Sequence, residues 1–252
     1  MSDTYSDVDG SAEPGGAVEW QERMARWPGI DAYKRRTHRL LDEPELVLDL
    51  GCGPGDDVLA IGAERCLGVD RSAAMCARAR QRGATVIQAD AEALPFRDST
   101  FSGVRSDRTL QHVVDAVGAV KELLRVSRPG ATIVVADPDQ ESLVIQVPAV
   151  RQSVLDRLKA LRRDIGYRNG RWISKAPAML EDLGAEVISV EPFALVIQDP
   201  ADAFGLPTWP VHWREPGGFT AEELGQWNRA MSDPAPGFLY SVTLVIVASR
   251  KR

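Results

Sequence analysis

The sequence predicts an α/β fold, a doubly wound and mostly parallel sheet, from three observations. Five short apolar runs recur between residues 45 and 137: ELVLDL (45–50), CLGVD (66–70), ATVIQAD (84–90), FSGVRSD (101–107) and ATIVVAD (131–137). Each has the length and apolar character of a strand buried on both faces. Helical stretches or polar loops separate them, and strands joined through helices return in the same direction, which makes the sheet parallel. At 252 residues the chain is long for one small core and short for two full domains, so one core with appended segments is expected.

Residues 1–18, MSDTYSDVDGSAEPGGAV, are acidic and small, with too little apolar surface to offset the entropy of ordering, so a disordered lead is expected. Residues 19–43 read as a helical cap. Trp20, Met24 and Trp27 recur at i, i+4 and i+7, and Pro28 divides the segment into two short helices, the second including DAYKRRTHRLL. The core spans 44–138, its strands interleaved with helices over DDVLAIGAE (56–64), RSAAMCARARQR (71–82) and about 115–127. Past Pro138 the alternation breaks. An inserted cap occupies 139–180, with residues 147–175 expected to form a helix that presents Val154, Leu158, Leu161 and Ile165 on one face. Residues 181–252 complete the sheet. APAMLEDLGAEVISVEP reads as a helix and strand, a long aromatic, proline-punctuated loop covers 199–237, and FLYSVTLVIVAS (238–249) is the final strand.

Charge and cysteine usage narrow the function classes. The formal net charge of −6 repels phosphate backbones, which disfavours nucleic acid as a partner. Three cysteines, Cys52, Cys66 and Cys76, are an odd number without CxxC spacing, which argues against a disulfide framework or a zinc site and for a reducing cytoplasm. No apolar run reaches about 18 residues and no basic, apolar leader opens the chain, so neither a membrane span nor a signal peptide is expected.

The chemistry concentrates at VLDLGCGPGDD (47–57), where an apolar strand stops on Gly51, Gly53 and Gly55, with Pro54, Asp56 and Asp57. A glycine turn from strand to helix lets a ligand approach the backbone closely. A dinucleotide fingerprint requires glycine at 51, 53 and 56, but Asp56 stands at the third position and Asp49 precedes the turn, so a pyrophosphate would meet carboxylates. A zwitterionic, sulfonium-bearing ligand suits this setting better, because a carboxylate can meet its ammonium.

VLDLGCGPG resembles the first motif of class I S-adenosylmethionine-dependent methyltransferases. The likeness continues through GVD (68–70), QADAEALPF (88–96), SDRTLQHV (106–113) and SRPGATIVVAD (127–137). It implies a Rossmann-like sheet of seven strands with the last antiparallel, S-adenosylmethionine as cofactor and S-adenosylhomocysteine as product. Carried over by position, Asp49, Gly51 and Gly53 would line the methionine moiety, with Cys52 filling the same turn. Asp70 would take both ribose hydroxyls, with Arg71 beside it. Asp90 would accept from the adenine amine, Ala91 would offer its backbone N–H, and Arg108 would complete the cofactor contacts.

His112, just past the fourth strand, is placed near the sulfonium methyl as a general base, and a helix-start histidine is the competing reading. All six tryptophans and every tyrosine lie outside residues 45–138, so an aromatic roof over the site is expected, with Tyr33, Trp172, Trp209, His212 and Trp213 as substrate contacts. Asp56 and Asp57 are expected to complement the helix dipole, and His38 to be a solvated helix residue. Seven basic residues between Arg157 and Lys175 read as a solvated face or as the site of an anionic substrate or partner.

Methyl transfer from a sulfonium is an in-line displacement that mainly requires positioning, so no metal or catalytic triad is needed. SDRT after the fourth strand departs from the [DN]PP[YFW] motif of methyltransferases acting on base or amide nitrogens. A small-molecule acceptor follows, and the variable cap resembles those of secondary-metabolite and quinone-methylating enzymes. Three other readings stay open: an NAD-dependent oxidoreductase, opposed by Asp56 and Asp90; a protein that binds the sulfonium for a non-methylating rearrangement; and a partner-binding member without catalysis.

Overall fold

The computed structural model describes residues 7–11, 13–233 and 236–252. Two N-terminal helices, α1 (Pro14–Ala25) and α2 (Pro28–Leu40), each open on a proline, whose missing N–H and fixed φ suit the first helical turn. The core follows as β1 (Val47–Leu50), α3 (Asp56–Ile61), β2 (Cys66–Asp70), α4 (Ala73–Gln81), β3 (Val86–Gln88), β4 (Phe101–Asp107), α5 (Ala116–Val126) and β5 (Ser127–Gln146). Beyond it lie α6 (Gln152–Asp164), α7 (Ala176–Asp182), β6 (Ala185–Ile197), α8 (Trp209–His212), α9 (Arg214–Gly217), α10 (Ala221–Ser232) and β7 (Leu239–Lys251). None of these helices is long and apolar enough to cross a membrane.

The seven strands form one sheet in the order β3-β2-β1-β4-β5-β7-β6, parallel from β3 to β5, with β7 antiparallel to both its neighbours. The expected architecture is therefore present. The winding direction reverses between β1 and β4, and in open α/β sheets ligands bind at the carboxyl ends of strands at such a switch point. On one face α5 and α7 bury Val120, Leu123 and Leu180, and on the other α3 and α4 bury Val58, Cys76 and Ala79.

Three expectations need correction. The stretch 1–18 carries structure wherever it is described, since α1 starts inside it and Val8, Ala17 and Val18 pack against Met75; the rest of that stretch, residues 1–6 and 12, lies outside the described residues. Its order comes from a distant partner. Asp9 caps α4, its Oδ2 accepting from the Ala73 N–H at 2.7 Å and its Oδ1 from the Ser72 hydroxyl at 2.6 Å. Second, the helix expected over 147–175 spans only Gln152–Asp164, and Ile165 falls just past its end at 49 % exposure, followed by a turn at Gly166.

Third, β5 continues well past residue 137 to Gln146, and its far half pairs with β7 from Val144↔Ser241 to Gln146↔Leu239. Pro138 is tolerated because β4 pairs no further than Ala136, leaving that side of the strand without a ladder to satisfy. The extended ends of β5, β6 and β7 form a shelf. On it Leu143, Ile145, Leu195 and Tyr240 pack against Leu158 of α6, Trp209 of α8 and Trp227 of α10.

Under α2 the sheet buries a charged cluster. Arg105 of β4, only 1 % exposed, pairs through Nη1 with Asp49 Oδ1 of β1 at 2.7 Å and through Nη2 with Asp107 Oδ2 at 3.0 Å. Its Nε donates to Thr37 Oγ1 of α2 at 2.8 Å, and Asp57 Oδ2 of α3 lies 3.3 Å from Nη1. Asp57 also takes Lys34, and His38 Nε2 sits 2.8 Å from its Oδ1. His38 is thus a packed member of the cluster rather than a solvated one. Burial raises the Asp57 carboxyl, but Arg105 and Lys34 outweigh it and hold the group well below the usual carboxylate range. For Asp49 burial prevails over Arg105 and pushes the group up to about 6.

Truncating one member of a buried ion cluster strands its partners, so Arg105→Leu is expected to destabilise the fold by about 3–5 kcal/mol in urea denaturation. A loss below about 1 kcal/mol would contradict a central role. Because the raised Asp49 carboxyl binds a proton more readily when folded, its contribution is present below the unfolded value and is lost as pH rises through about 6. Asp49→Asn should therefore gain stability relative to wild type between about pH 4 and 6 and run parallel to it above. A pH-independent difference would count against this.

Candidate active site

The glycine turn after β1 is set by close contacts. Gly51 (φ +74°) passes so near Thr109 that an added Cβ would lie 1.9 Å from its Oγ1. Gly55 (φ +84°) packs the start of α3 onto Ala84 and Ala79, whereas a Cβ on Gly53 would meet nothing within 4 Å. Gly53 lines a cleft at the ends of β1, β2 and β4. Its N–H donates to Asp70 Oδ2 at 2.8 Å, and the Ser72 N–H donates to Asp70 Oδ1 at 2.9 Å. Two backbone amides thus aim the carboxylate that ends β2, and burial still raises its pKa against their pull.

Around the same cleft lie Gly51, Cys52, Arg71, Asp90, Ala91 and Arg108. Asp90 Oδ1 accepts from the Glu92 N–H at 3.0 Å, which fixes the turn after β3. Val8, Gln21 and Ala25 form the roof, so the N-terminal segment closes the cleft from above. Arg108 adopts a left-handed φ of +52°, uncommon for a side chain of its size, directly after the β4 strand. That conformation turns its guanidinium toward α1, where Nη1 lies 3.0 Å from the Met24 sulfur and Nη2 3.4 Å from Gln21 Oε1.

A second cavity, about 450 Å³, adjoins the first. Gln21, Arg108 and His112 line both. The walls of the second cavity are largely aromatic: Trp20, Tyr167, Phe204, Trp209, Trp213 and Tyr240 all line it. Gln111 and Gln140 supply buried amides. The His112 ring stands 5.2 Å from the Tyr167 ring, at the junction of the two spaces.

Eight of the nine expected cofactor residues line the first cleft, His112 lines both cavities, and Trp209, His212 and Trp213 line the second. Three residues are placed elsewhere. Asp49 is 1 % exposed and outside the cleft lining, because Arg105 claims it. Tyr33 is buried outside both cavities, its hydroxyl donating to Asp107 at 3.1 Å. Trp172 also lies outside them, its Nε1 donating to Asp137 Oδ2 at 2.8 Å, which ties the segment after α6 to the middle of β5. Burial pushes the Asp137 carboxyl well above its ordinary range despite that bond. Asp57 complements the start of α3 as expected but is mainly a member of the buried cluster.

Several groups escaped sequence reasoning. Arg105 had a signal, a charged residue in the middle of a buried strand, and Asp107 two residues on faces the same way. Gln111, Gln140 and Tyr167 had none, because only the shelf and α6 bring them around one cavity, and Arg162 stood out only as one of the seven basic residues between Arg157 and Lys175.

Residues 48–135 match the family profile described as a methyltransferase domain. A demethylmenaquinone methyltransferase of Mycolicibacterium paratuberculosis is 30% identical over 164 residues, covering 60% of this chain and 68% of that protein. An uncharacterized 37.1 kDa protein in transposon TN4556 of Streptomyces fradiae is 32% identical over 197 residues, 72% of this chain and 56% of its own. The chain spans about half the length of several curated relatives it matches. The crystal structure of the YcgJ protein of Bacillus subtilis shares the fold with a TM-score of 0.60 at 20% identity, covering 88% of this chain and 99% of that one. By the matched domain, the glycine turn and the sheet together, this chain belongs to the S-adenosylmethionine-dependent methyltransferase family.

Proposed function

We propose that the protein transfers a methyl group from S-adenosylmethionine to a small aromatic acceptor held in the second cavity. One observation carries the reading: a cleft built like a cofactor site opens beside an aromatic cavity, and His112, Arg108 and Gln21 belong to both. The cleft residues fit the cofactor. Gly53 presents bare backbone to the open cleft, where a Cβ would meet no protein atom within 4 Å, and the Asp70 carboxylate is held at the strand end by two amides, suited to accept from vicinal ribose hydroxyls. Asp90 and Ala91 line the same cleft, and their carboxylate and backbone N–H would suit an adenine edge. When bound, S-adenosylmethionine supplies an electrophilic methyl whose sulfur leaves as the neutral thioether of S-adenosylhomocysteine.

The chain's own contribution is positioning and proton handling. Two adjoining cavities would hold cofactor and acceptor side by side, and such positioning would supply roughly 7–11 kcal/mol. His112 at the junction takes the proton of an acceptor hydroxyl as the oxygen attacks, worth a factor of roughly 10² to 10⁴. In this reading α6 with the turn after it and residues 199–213 form the acceptor cap, with Trp209, Trp213 and His212 as substrate contacts. A quinol-like ring suits the aromatic walls, in keeping with the name of the mycobacterial relative. A nicotinamide dinucleotide fits poorly: Asp56 replaces the third glycine, and Arg82 pairs with it at 2.7 Å. The acidic net charge favours a small molecule over nucleic acid, and three buried free thiols suit a reducing cytoplasm.

Calorimetric titration with S-adenosylmethionine, S-adenosylhomocysteine and NADH tests the cofactor. Binding of the first two without the third is expected; NADH binding in place of both would favour an oxidoreductase. Asp70→Ala should weaken S-adenosylhomocysteine binding by about 1–3 kcal/mol, and an unchanged affinity would remove Asp70 from the site. With an acceptor found by screening small phenols, His112→Ala should lower kcat by about 10² to 10⁴, far beyond any change in cofactor affinity. Equal turnover by the variant would make His112 a structural helix-start residue.

A further inference from the structure

Among the described residues, Arg162 lines the second cavity without a carboxylate partner. Arg162 of α6 stacks between two rings, its guanidinium carbon 4.3 Å from the Tyr167 ring centroid and 4.4 Å from that of Trp209, and it donates to the Tyr167 hydroxyl. Its neighbours on α6 are paired with acids, Arg157 with Glu223 and Arg163 with Asp164. Among the described residues no Asp or Glu lies within ion-pair distance of Arg162, and its Nε is buried without a hydrogen-bond partner. Aromatic faces offset part of the cost of partly burying a cation, but they bring no counter-charge.

A second unspent group faces the same space. Gln140, 3 % exposed, bonds through its amide nitrogen to Gln111 at 3.3 Å, and its Oε1 has no partner among the described residues. Arg162 and His112 touch the same Tyr167 ring, close enough for one aryl ring system to reach both.

We propose that the methyl acceptor is an aromatic carboxylic acid. Its ring lies among the cavity's aromatic walls, its carboxylate meets Arg162, and Gln140 accepts a hydrogen bond from a ring hydroxyl. A planar guanidinium already held by stacking loses little freedom on gripping a carboxylate, and charge-assisted hydrogen bonds are the strong ones. The same cation rejects ammonium ligands, which an aromatic cage would otherwise attract. The inference rests on the assignment of this cavity to the acceptor.

The test titrates the full chain, saturated with S-adenosylhomocysteine, at neutral pH with a hydroxynaphthoate, its methyl ester and naphthylmethylamine. The acid should bind roughly ten- to a hundredfold more tightly than the ester. Arg162→Gln should abolish most of that preference while leaving the ester's affinity in place, and Arg162→Lys should restore part of it; S-adenosylhomocysteine binding reports that each variant is folded. Equal affinity for acid and ester, an acid preference that survives Arg162→Gln, preferred binding of the amine, or binding of none of the three overturns the proposal. Failure of S-adenosylhomocysteine itself to bind the wild type is a different result, which overturns the methyltransferase reading and the inference with it.

Discussion

The guanidinium of Arg105 is the interaction on which the rest of this architecture depends. From β4 it reaches Asp49 on β1, Asp57 on α3 and Thr37 on α2, so one buried side chain joins the two strands of the switch point to a helix on the sheet and to the N-terminal cap. Burying such charges is costly, and apolar replacements of the whole set can be as stable. What the cluster adds is direction, because each bond has one acceptable geometry. Arg108 stands three residues past Arg105, just beyond the end of β4, with a left-handed backbone.

The same cluster explains why the cap can serve as a roof. Lys34, Tyr33, Thr37 and His38 all lie on α2 and all engage it directly or through Asp57 and Asp107, which anchors the helix over the sheet. That leaves α1 free to project Gln21 and Ala25 over the cleft. Asp9 fastens the remaining end by capping α4 beside Asp70. The hydrogen bonds from Ser72 and from the Ala73 and Ala74 amides outweigh burial and hold its carboxyl below the ordinary value, so the fastening is strongest with Asp9 ionised. The roof is therefore tied at both ends to the elements that build the cofactor turn.

The second cavity has a different origin. Pro138 and Gln140 of β5 and Tyr240 and Val242 of β7, where these strands outrun the parallel core, line it together with residues of α1, α6 and the 199–213 segment. Building it on an extension separates two demands: the turn after β1 can stay constant while the shelf and its helices vary in what they enclose. Among the described residues, the two spaces share Gln21 of α1 and, just after β4, Arg108 and His112.

The sequence by itself determined the wound core and the cofactor turn, because both are written in short-range patterns. Alternating apolar runs declare strands, and glycines at 51, 53 and 55 declare a backbone that bends where side chains would not fit. The reach of β5 past Pro138 was hidden, since a proline reads as a strand end until one knows that β4 has already stopped. The lead escaped for a related reason: Val8 and Asp9 gain their order from Met75 and from the start of α4, more than sixty residues away. Tertiary structure alone decided which acids and aromatics are spent inside and which face a ligand. Asp49 and Asp70 end adjacent strands and look equivalent in sequence, yet one is consumed by Arg105 and the other is aimed by amides into the cleft. Tyr33 and Trp172 likewise became anchors for buried acids, whereas Trp209 and Trp213 became walls. The fate of a polar side chain depends on which partner lies within hydrogen-bond reach, and that is fixed by contacts between residues far apart along the chain.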